Sequence, residues 1–464
     1  MPLIKSIAGV RGTIGGPVGA GLTPIDVVAL TTAFGRQLLQ QTTLKRVVIG
    51  RDARPSGTVI SQLVSATLQS LGMDVIDLGL AATPTVAIAV PQEQASGGIV
   101  ITASHNAAAW NALKLLNRAG EYIDATTAAT VFSLAAQHDH SFVATQDLGR
   151  YLPSDGYIDE HIKQILALPL VDPAAITQRK FKVAIDAVNS VGGLAIPKLL
   201  RALGVAYITA LHCQPTGLFP HDPEPLPEHL TELANTIKQG DYDVGIAVDP
   251  DVDRLAIIDE QGQAWGEDYT LVAAADYVLS QTPGNTVANL SSSSALKVLT
   301  ERYGGSHAVS AVGEMHVVAR MKATQAVIGG EGNGGVIYPA LHYGRDALVG
   351  IALVLTHLAR SGQSASTLRA SYPNYVMAKT NIKLSPAIDV AAVLDKLKSQ
   401  YSSYPIDTVD GVKVTLPQGW FLLRQSNTEP VIRIYAEGVT QASATSIVAQ
   451  VMQHMQVCIP VAVP

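Results

Sequence analysis

The chain has 464 residues, 47% of them apolar and 15% charged, with a net charge of −6. That length supports three or more domains with cores of their own, and the balance of charge, without a Lys/Arg stripe, argues against nucleic acid as a partner. The longest obvious apolar run, Ala347 to Leu355, is about half of what a bilayer crossing needs, and Cys213 and Cys458 offer no disulfide framework, so a cytoplasmic protein with no membrane partner is expected.

In chain order, the first signal is Arg11 between Gly9 and Gly12, with Gly15-Gly16 just after. Glycines let backbone approach a ligand closely while a guanidinium forks onto an oxyanion; a plain glycine turn with a surface arginine has the same composition. Thr23, Pro24 and Asp26 open a helix whose apolar face is Val27, Leu30, Phe34 and Leu38. Val47 to Gly50 predicts a buried strand running into Arg51-Asp52-Ala53-Arg54, and Val75 to Gly79 another, with a helix between them. Strand and helix in alternation predict a mostly parallel sheet covered on both faces.

Gly97 to Ile101 reads as a strand that leads into Thr102-Ala103-Ser104-His105-Asn106, with Lys114 further on. Ala-rich sequence from Ala107 predicts a helix there, placing Ser104 on a strand-to-helix turn with helix amides nearby to hold an anion. A serine hydroxyl needs activation or a group already attached before it does chemistry, and Ser-His-Asn is equally suited to capping a helix.

A second domain opens with a helix over Tyr157 to Leu166 and a strand over Lys182 to Asp186, followed by a proline-rich loop from Pro215 to Pro227. The strand Tyr242 to Val248 then delivers Asp249-Pro250-Asp251-Val252-Asp253-Arg254. Three carboxylates at alternate positions can turn toward one point, which suits a hard divalent cation, Mg²⁺ above all. The glycine and terminal glutamate of a calcium-binding hand are missing, and Arg254 suits a phosphate oxygen beside the metal.

The third unit has strands at 285–290 and 326–329, the latter opening into Gly330-Glu331-Gly332-Asn333-Gly334-Gly335. Glu331 and Asn333 there suit sugar hydroxyls, though a flexible turn would look the same. A buried helix is predicted over Asp346 to Ala359. After a composition shift near Ser371, a small α+β module is expected: a Ser385-capped helix, three strands and a final helix. Between its later strands, Arg424, Ser426, Asn427 and Thr428, followed by Arg433, gather donors fit for a tetrahedral anion; a hairpin turn is the plainer alternative.

A serine beside a histidine, a metal loop, a sugar loop and a separate phosphate clamp together resemble the α-D-phosphohexomutase superfamily over the full length, with the motifs in that family's order. The resemblance implies an α/β fold of three similar mixed-sheet domains plus a smaller α+β domain around a central cleft, here set at 1–153, 154–256, 257–371 and 372–464. It makes Ser104 the phosphoserine and a metal ligand with Asp249, Asp251 and Asp253, and it makes Gly330 to Gly335 the sugar loop and Arg424 to Thr428 the phosphate loop. Arg11, His105, Lys114 and Arg254 fall at active-site positions, with His105 and Lys114 the general acid and base candidates. The implied reaction interconverts sugar 6-phosphate and sugar 1-phosphate with Mg²⁺, through a sugar 1,6-bisphosphate that is both intermediate and activator, in a monomer or homodimer. Two departures stand out: Ala107 replaces the family's proline, and the sugar loop lacks the common Gly-Glu-Met-Ser-Gly-His and Gly-Glu-Gln-Ser-Gly-His forms. That loop leans the reading toward a phosphoglucosamine mutase, with phosphomannomutase or phosphoglucomutase as the alternative. A Ser/Mg²⁺ phosphatase would share Ser104 and the aspartates, and a non-catalytic sugar-phosphate sensor would keep Arg424 and Glu331.

Overall fold

The computed structural model describes residues 3–7, 9–137, 141–384, 389–426 and 431–458. Among these, four sheets follow one another along the chain. The first has seven strands, in spatial order Ile4–Ser6, Gly9–Thr13, Trp110–Leu116, Gly97–Ile101, Arg46–Arg51, Asp74–Leu80 and Tyr151–Pro153. Its centre is parallel, and one edge turns antiparallel where Trp110–Leu116 pairs with both Gly97–Ile101 and Gly9–Thr13. The strand Gly97–Ile101 is buried along its whole length, as expected of a strand covered on both faces. Ile99, Val100 and Ile101 are each 0% exposed, so each contributes on the order of 1.5–3 kcal/mol by burial. The helix Pro24–Gln41 covers this sheet and starts as the sequence predicts, with Thr23 and Asp26 forming a reciprocal capping box.

The second sheet runs Leu255–Asp259, Val244–Val248, Lys182–Asp186 and Tyr207–Leu211. Leu255–Asp259 pairs antiparallel with Val244–Val248, so the expected boundary at 256/257 falls inside a strand of this sheet. The third sheet runs His307–Ser310, Asn285–Asn289, Ala326–Glu331 and Gly335–Ile337. One continuous core joins the second and third units: Phe181, Val183 and Ile185 share it with Tyr277 and with Leu348, Ile351 and Leu355 of the helix Ala347–Ser361.

The last unit is an antiparallel five-stranded sheet, Val376–Lys383, Val431–Gly438, Gly419–Gln425, Val412–Leu416 and Ile406–Asp407, backed by the helices Val390–Gln400 and Gln441–Cys458. It has its own core around Phe421, Ile434 and Val451. Its first helix is capped by Asp389, whose side chain accepts from the Ala392 amide at 3.2 Å; the expected cap, Ser385, lies outside the described residues. No helix of the described residues is long and apolar enough to cross a membrane.

Candidate active site

Ser104 does not stand on a strand-to-helix turn. Its turn joins two antiparallel strands, Gly97–Ile101 and Trp110–Leu116. Local composition at Ala107 favours a helix, but residues 111–116 are a buried run that hydrogen-bonds to strands on both sides, and that pairing overrides propensity. The helix expected after Ala107 is therefore not formed, and its amides do not flank the serine. What holds the turn instead is Arg54, 0% exposed. It donates to the carbonyls of Ser104 (2.6 Å), Asn106 (2.5 Å), Ala107 (2.7 Å) and Trp110 (3.0 Å), and its Nε to Asp52 Oδ2 at 3.0 Å. Asp52 also accepts from Thr102 Oγ1 (2.6 Å), which in turn accepts from the Ser104 amide at 2.9 Å. Burial raises the Asp52 carboxyl above its usual range, against the pull of Arg54 and Thr102. Ser104 itself has φ +50°, a left-handed conformation that costs a non-glycine residue about 1–2 kcal/mol. The network on its backbone offsets that cost.

The serine hydroxyl donates to Asp249 Oδ2 at 2.7 Å, across 145 residues of sequence. Asp249, Asp251 and Asp253 are each 0% exposed, and their oxygens converge as the alternating spacing predicts. They are not left to repel one another. Lys114 Nζ donates to Asp251 Oδ2 (2.6 Å) and Asp253 Oδ2 (3.3 Å), Thr83 Oγ1 to Asp251, and Arg345 to Asp253 Oδ2 (2.7 Å). Burial, then Asp251 and Asp253, push the Asp249 carboxyl well up, while for Asp251 burial is outweighed by Lys114 and the hydrogen bonds, which hold it down. Burial also opposes the charge of Lys114, but Asp251, Tyr122 and Asp253 raise its pKa well above the ordinary lysine value.

Among the described residues, Asp251 Oδ1 and Asp253 Oδ1 are buried with no hydrogen-bond partner. Buried anionic oxygens without partners are costly. An all-oxygen, triply acidic donor set with two orphaned atoms fits a hard divalent cation, so the triad and Ser104 Oγ could hold one.

Arg11, Arg254 and His105 lie close to this centre. Arg11 NH1 reaches Asn106 Oδ1 at 3.3 Å, while its Nε is buried without a partner. Arg254 NH1 donates to Glu224 Oε1 of the proline-rich loop at 2.8 Å, a partner the sequence does not announce. His105 Nε2 lies 4.0 Å from the same carboxylate oxygen, and its Nδ1 is buried without a partner. Burial first, then Arg254, Arg11 and Arg345, lower the His105 pKa well below its ordinary value.

In the sugar loop, Glu331 is 4% exposed and both its oxygens are engaged: Oε1 accepts from Asn289 Nδ2 (2.8 Å) and the Gly313 amide (2.9 Å), and Oε2 lies 3.2 Å from Arg345 NH1. Asn333 Oδ1 accepts from the Gly335 amide at 3.3 Å and so stabilises its own turn. Gly332 is required sterically, since a Cβ there would collide with the Asp268 carboxylate. Burial raises the Asp268 carboxyl to about 7, against the Ser293 amide that donates to it at 2.7 Å. Because this group holds its proton better when folded, its contribution to stability is full below about pH 4 and is lost as the pH rises toward 7. Asp268→Asn is therefore expected to gain stability relative to the parent between pH 5 and 7.5, read as urea midpoints; a constant difference across that range would refute the assignment.

Arg345 was missed by sequence reasoning. It links Asp253, Glu314 (2.9 Å) and Glu331, and these neighbours raise its pKa well above the ordinary value although burial pulls the other way. The tripeptide Gly344-Arg345-Asp346 repeats Gly50-Arg51-Asp52, and that repetition was the available signal. In the last domain, Arg424 Nε donates to Asp410 Oδ2 (2.7 Å), which also accepts the Val312 amide of the third domain at 3.0 Å. Arg433 pairs across the sheet with Arg424, and Ser426 follows it at the strand end with its amide bonded to the Val431 carbonyl, 2.9 Å. Asn427 and Thr428 lie outside the described residues.

Three α/β units followed by an antiparallel unit, with a buried serine, an aspartate triad and the guanidinium groups of Arg11, Arg254 and Arg345 close together, have the make-up of a phosphoryl-transfer enzyme. The chain matches the four phosphoglucomutase/phosphomannomutase domain families in order: α/β/α domains I, II and III at residues 4–141, 155–262 and 266–375, and the C-terminal domain at 380–454. It belongs to this family, the intramolecular phosphotransferases of the α-D-phosphohexomutase superfamily. It is 35% identical over 441 residues to a phosphoglucomutase/phosphomannomutase of Thermococcus kodakarensis, covering 93% of this chain and 95% of that one. It is 32% identical to a phosphoglucosamine/phosphogalactosamine mutase of Sulfurisphaera tokodaii, covering 97% and 98%. A crystal structure of a family protein from Burkholderia thailandensis superposes with a TM-score of 0.86 at 26% identity over 99% of this chain and 98% of that one.

Proposed function

We propose that this protein interconverts glucosamine 6-phosphate and glucosamine 1-phosphate. The observation that carries the mutase chemistry is the Ser104 hydroxyl bonded to Asp249 at 2.7 Å, beside two buried carboxylate oxygens that lack partners. The relatives named for amino-sugar phosphates support the substrate.

In this reading the resting enzyme carries a phosphoryl group on Ser104 Oγ. Mg²⁺ held by Asp249, Asp251 and Asp253 with the serine oxygen would neutralise charge on the transferring group. The phosphoryl group passes to the free hydroxyl of the sugar monophosphate, and the hydroxyl proton goes to His105, whose buried and unpartnered Nδ1 supports the role of base. Lys114 supplies a proton to the serine oxygen as it leaves. The resulting 1,6-bisphosphate turns over, and its other phosphoryl group passes to Ser104 Oγ, whose proton returns to Lys114 while His105 gives its proton to the freed sugar oxygen. Arg11 and Arg254 orient phosphate oxygens near the serine, and Arg424 and Arg433, with Ser426, Asn427 and Thr428, hold the phosphate that is not reacting. Glu331, Gly332 and Asn333 shape the sugar subsite.

The test compares kcat/KM for glucosamine 6-phosphate, mannose 6-phosphate and glucose 6-phosphate with Mg²⁺ and a trace of sugar bisphosphate, monitoring free phosphate. A preference of roughly tenfold or more for the amino sugar is expected. Preference for mannose or glucose would reassign the substrate, and release of phosphate without isomerisation would overturn the mutase reading.

A further inference from the structure

A second trio of metal-capable side chains lies apart from the aspartate triad, where two strands of the second sheet end side by side. Asp186 closes the strand Lys182–Asp186, His212 directly follows Tyr207–Leu211, and His221 comes from the proline-rich loop. His212 Nδ1 is 3.0 Å and His221 Nε2 3.1 Å from one oxygen, Oδ2, of an Asp186 that is 1% exposed. The other oxygen, Oδ1, accepts the Val188 amide at 2.9 Å and fixes the carboxylate's orientation.

The outward nitrogen of His221 fixes where one of its hydrogens sits. His221 Nδ1 is 2.8 Å from the Asp222 carbonyl oxygen, which can only accept, so that nitrogen carries its hydrogen. His212 Nε2 faces a carboxylate oxygen of Glu232 at 3.5 Å, again an acceptor. With hydrogens outward, two neutral rings turn their lone pairs onto one buried anionic oxygen, which is repulsive. Two imidazolium rings would crowd like charges at a ring separation of 5.5 Å. A divalent cation between the three donors removes both conflicts; a doubly protonated His221 beside a His212 that donates from Nδ1 would also do so, and zinc retention separates the two. An outer nitrogen hydrogen-bonded to a carbonyl and another facing a carboxylate also resemble the second layer that metal-bound imidazoles ordinarily have.

We propose that Asp186, His212 and His221 bind Zn²⁺. Two imidazoles and one carboxylate select a borderline cation such as zinc over Mg²⁺. Tetrahedral zinc needs its donors about 3.3 Å apart, from metal–ligand lengths of about 2.0–2.1 Å; here the two nitrogens lie 3.0 and 3.1 Å from Asp186 Oδ2, and all three donors lie within 4.8 Å of one another. Water takes the fourth position, because the neighbouring Cys213 thiol is turned to the Leu211 carbonyl at 3.2 Å. The site clasps the loop that places Phe219 over Arg54, 4.9 Å from ring centre to guanidinium, and Glu224 against Arg254. It lies outside the phosphoryl-transfer chemistry and stands or falls independently of the sugar substrate.

The full-length protein, stripped with chelator and dialysed against micromolar Zn²⁺ in excess Mg²⁺, should retain one zinc per chain by elemental mass spectrometry. His221→Gln should weaken zinc affinity by about 100-fold or more, while Asp251→Asn, which alters the other triad, should leave it in place. No retained zinc in the parent protein, equal affinity in His221→Gln, or loss of zinc with Asp251→Asn would each overturn the proposal. The parent protein loaded with Co²⁺ gives a readout free of any folding defect: an intense visible ligand-field band supports a four-coordinate nitrogen-containing site, and only weak six-coordinate bands refute it.

Discussion

Ser104→Ala should remove isomerase activity by at least about 10⁴-fold in kcat/KM, since loss of a nucleophile that works with a base removes most of the catalysis. The side chain contributes one hydrogen bond, to Asp249, and the backbone around it is held by Arg54 and Thr102 through main-chain atoms. Alanine therefore keeps the turn, although it retains the left-handed strain of φ +50°. Binding of the sugar phosphate, measured by calorimetry, should stay within a few-fold of the parent value, because its phosphate and sugar contacts come from other residues. Label from ³²P-sugar bisphosphate should no longer transfer to the protein. Retention of substantial isomerase activity in this variant would sink the phosphoserine mechanism.

Arg54→Met should have the largest effect on stability. The guanidinium satisfies four main-chain carbonyls and pairs with a carboxylate that is 0% exposed. Methionine fills a similar volume but leaves Asp52 without its cation, a loss of about 3–5 kcal/mol. The serine turn would also lose its registration, and misplacement of about 1 Å is enough to cost roughly 10²-fold in kcat. Lysine keeps the charge but not the planar fork, so Arg54→Lys should recover part of the stability and little of the kcat. Urea titration of the three proteins with single-turnover rates checks both parts. A methionine variant within 1 kcal/mol and threefold of the parent would show that the turn holds itself.

Much of this centre was legible because its determinants are local. Alternate aspartates at a strand end mark a candidate cation site from one segment alone, and the Thr23–Asp26 capping box and the buried run Gly97–Ile101 need no distant partner to be recognised. The misplaced helix after Ser104 shows the opposite case. Nothing in the residues around Ala107 reveals that Trp110–Leu116 will be claimed by Gly9–Thr13, about a hundred positions earlier, and only that pairing makes the segment a strand. Arg54 and Arg345 were hidden for the same reason: each reads as an ordinary turn arginine until the fold brings its carbonyls and carboxylates together. The counter-charges on the triad were equally invisible, since Lys114, Thr83 and Arg345 arrive from two other domains. The Pro215–Pro227 stretch offered composition but no hint that Glu224 would meet Arg254.

That division of labour has a bearing on recombination. The three aspartates are encoded in one segment, but what keeps them from repelling one another is encoded in two others: Ser104, Thr83 and Lys114 upstream and Arg345 downstream. A chimera that imports the second domain from a distant relative inherits the acids without their matched bases. Domain shuffling within this architecture is thus constrained at four side chains far more than at the linkers, and a library of crossovers should survive where those four travel with the triad or are already identical in both parents.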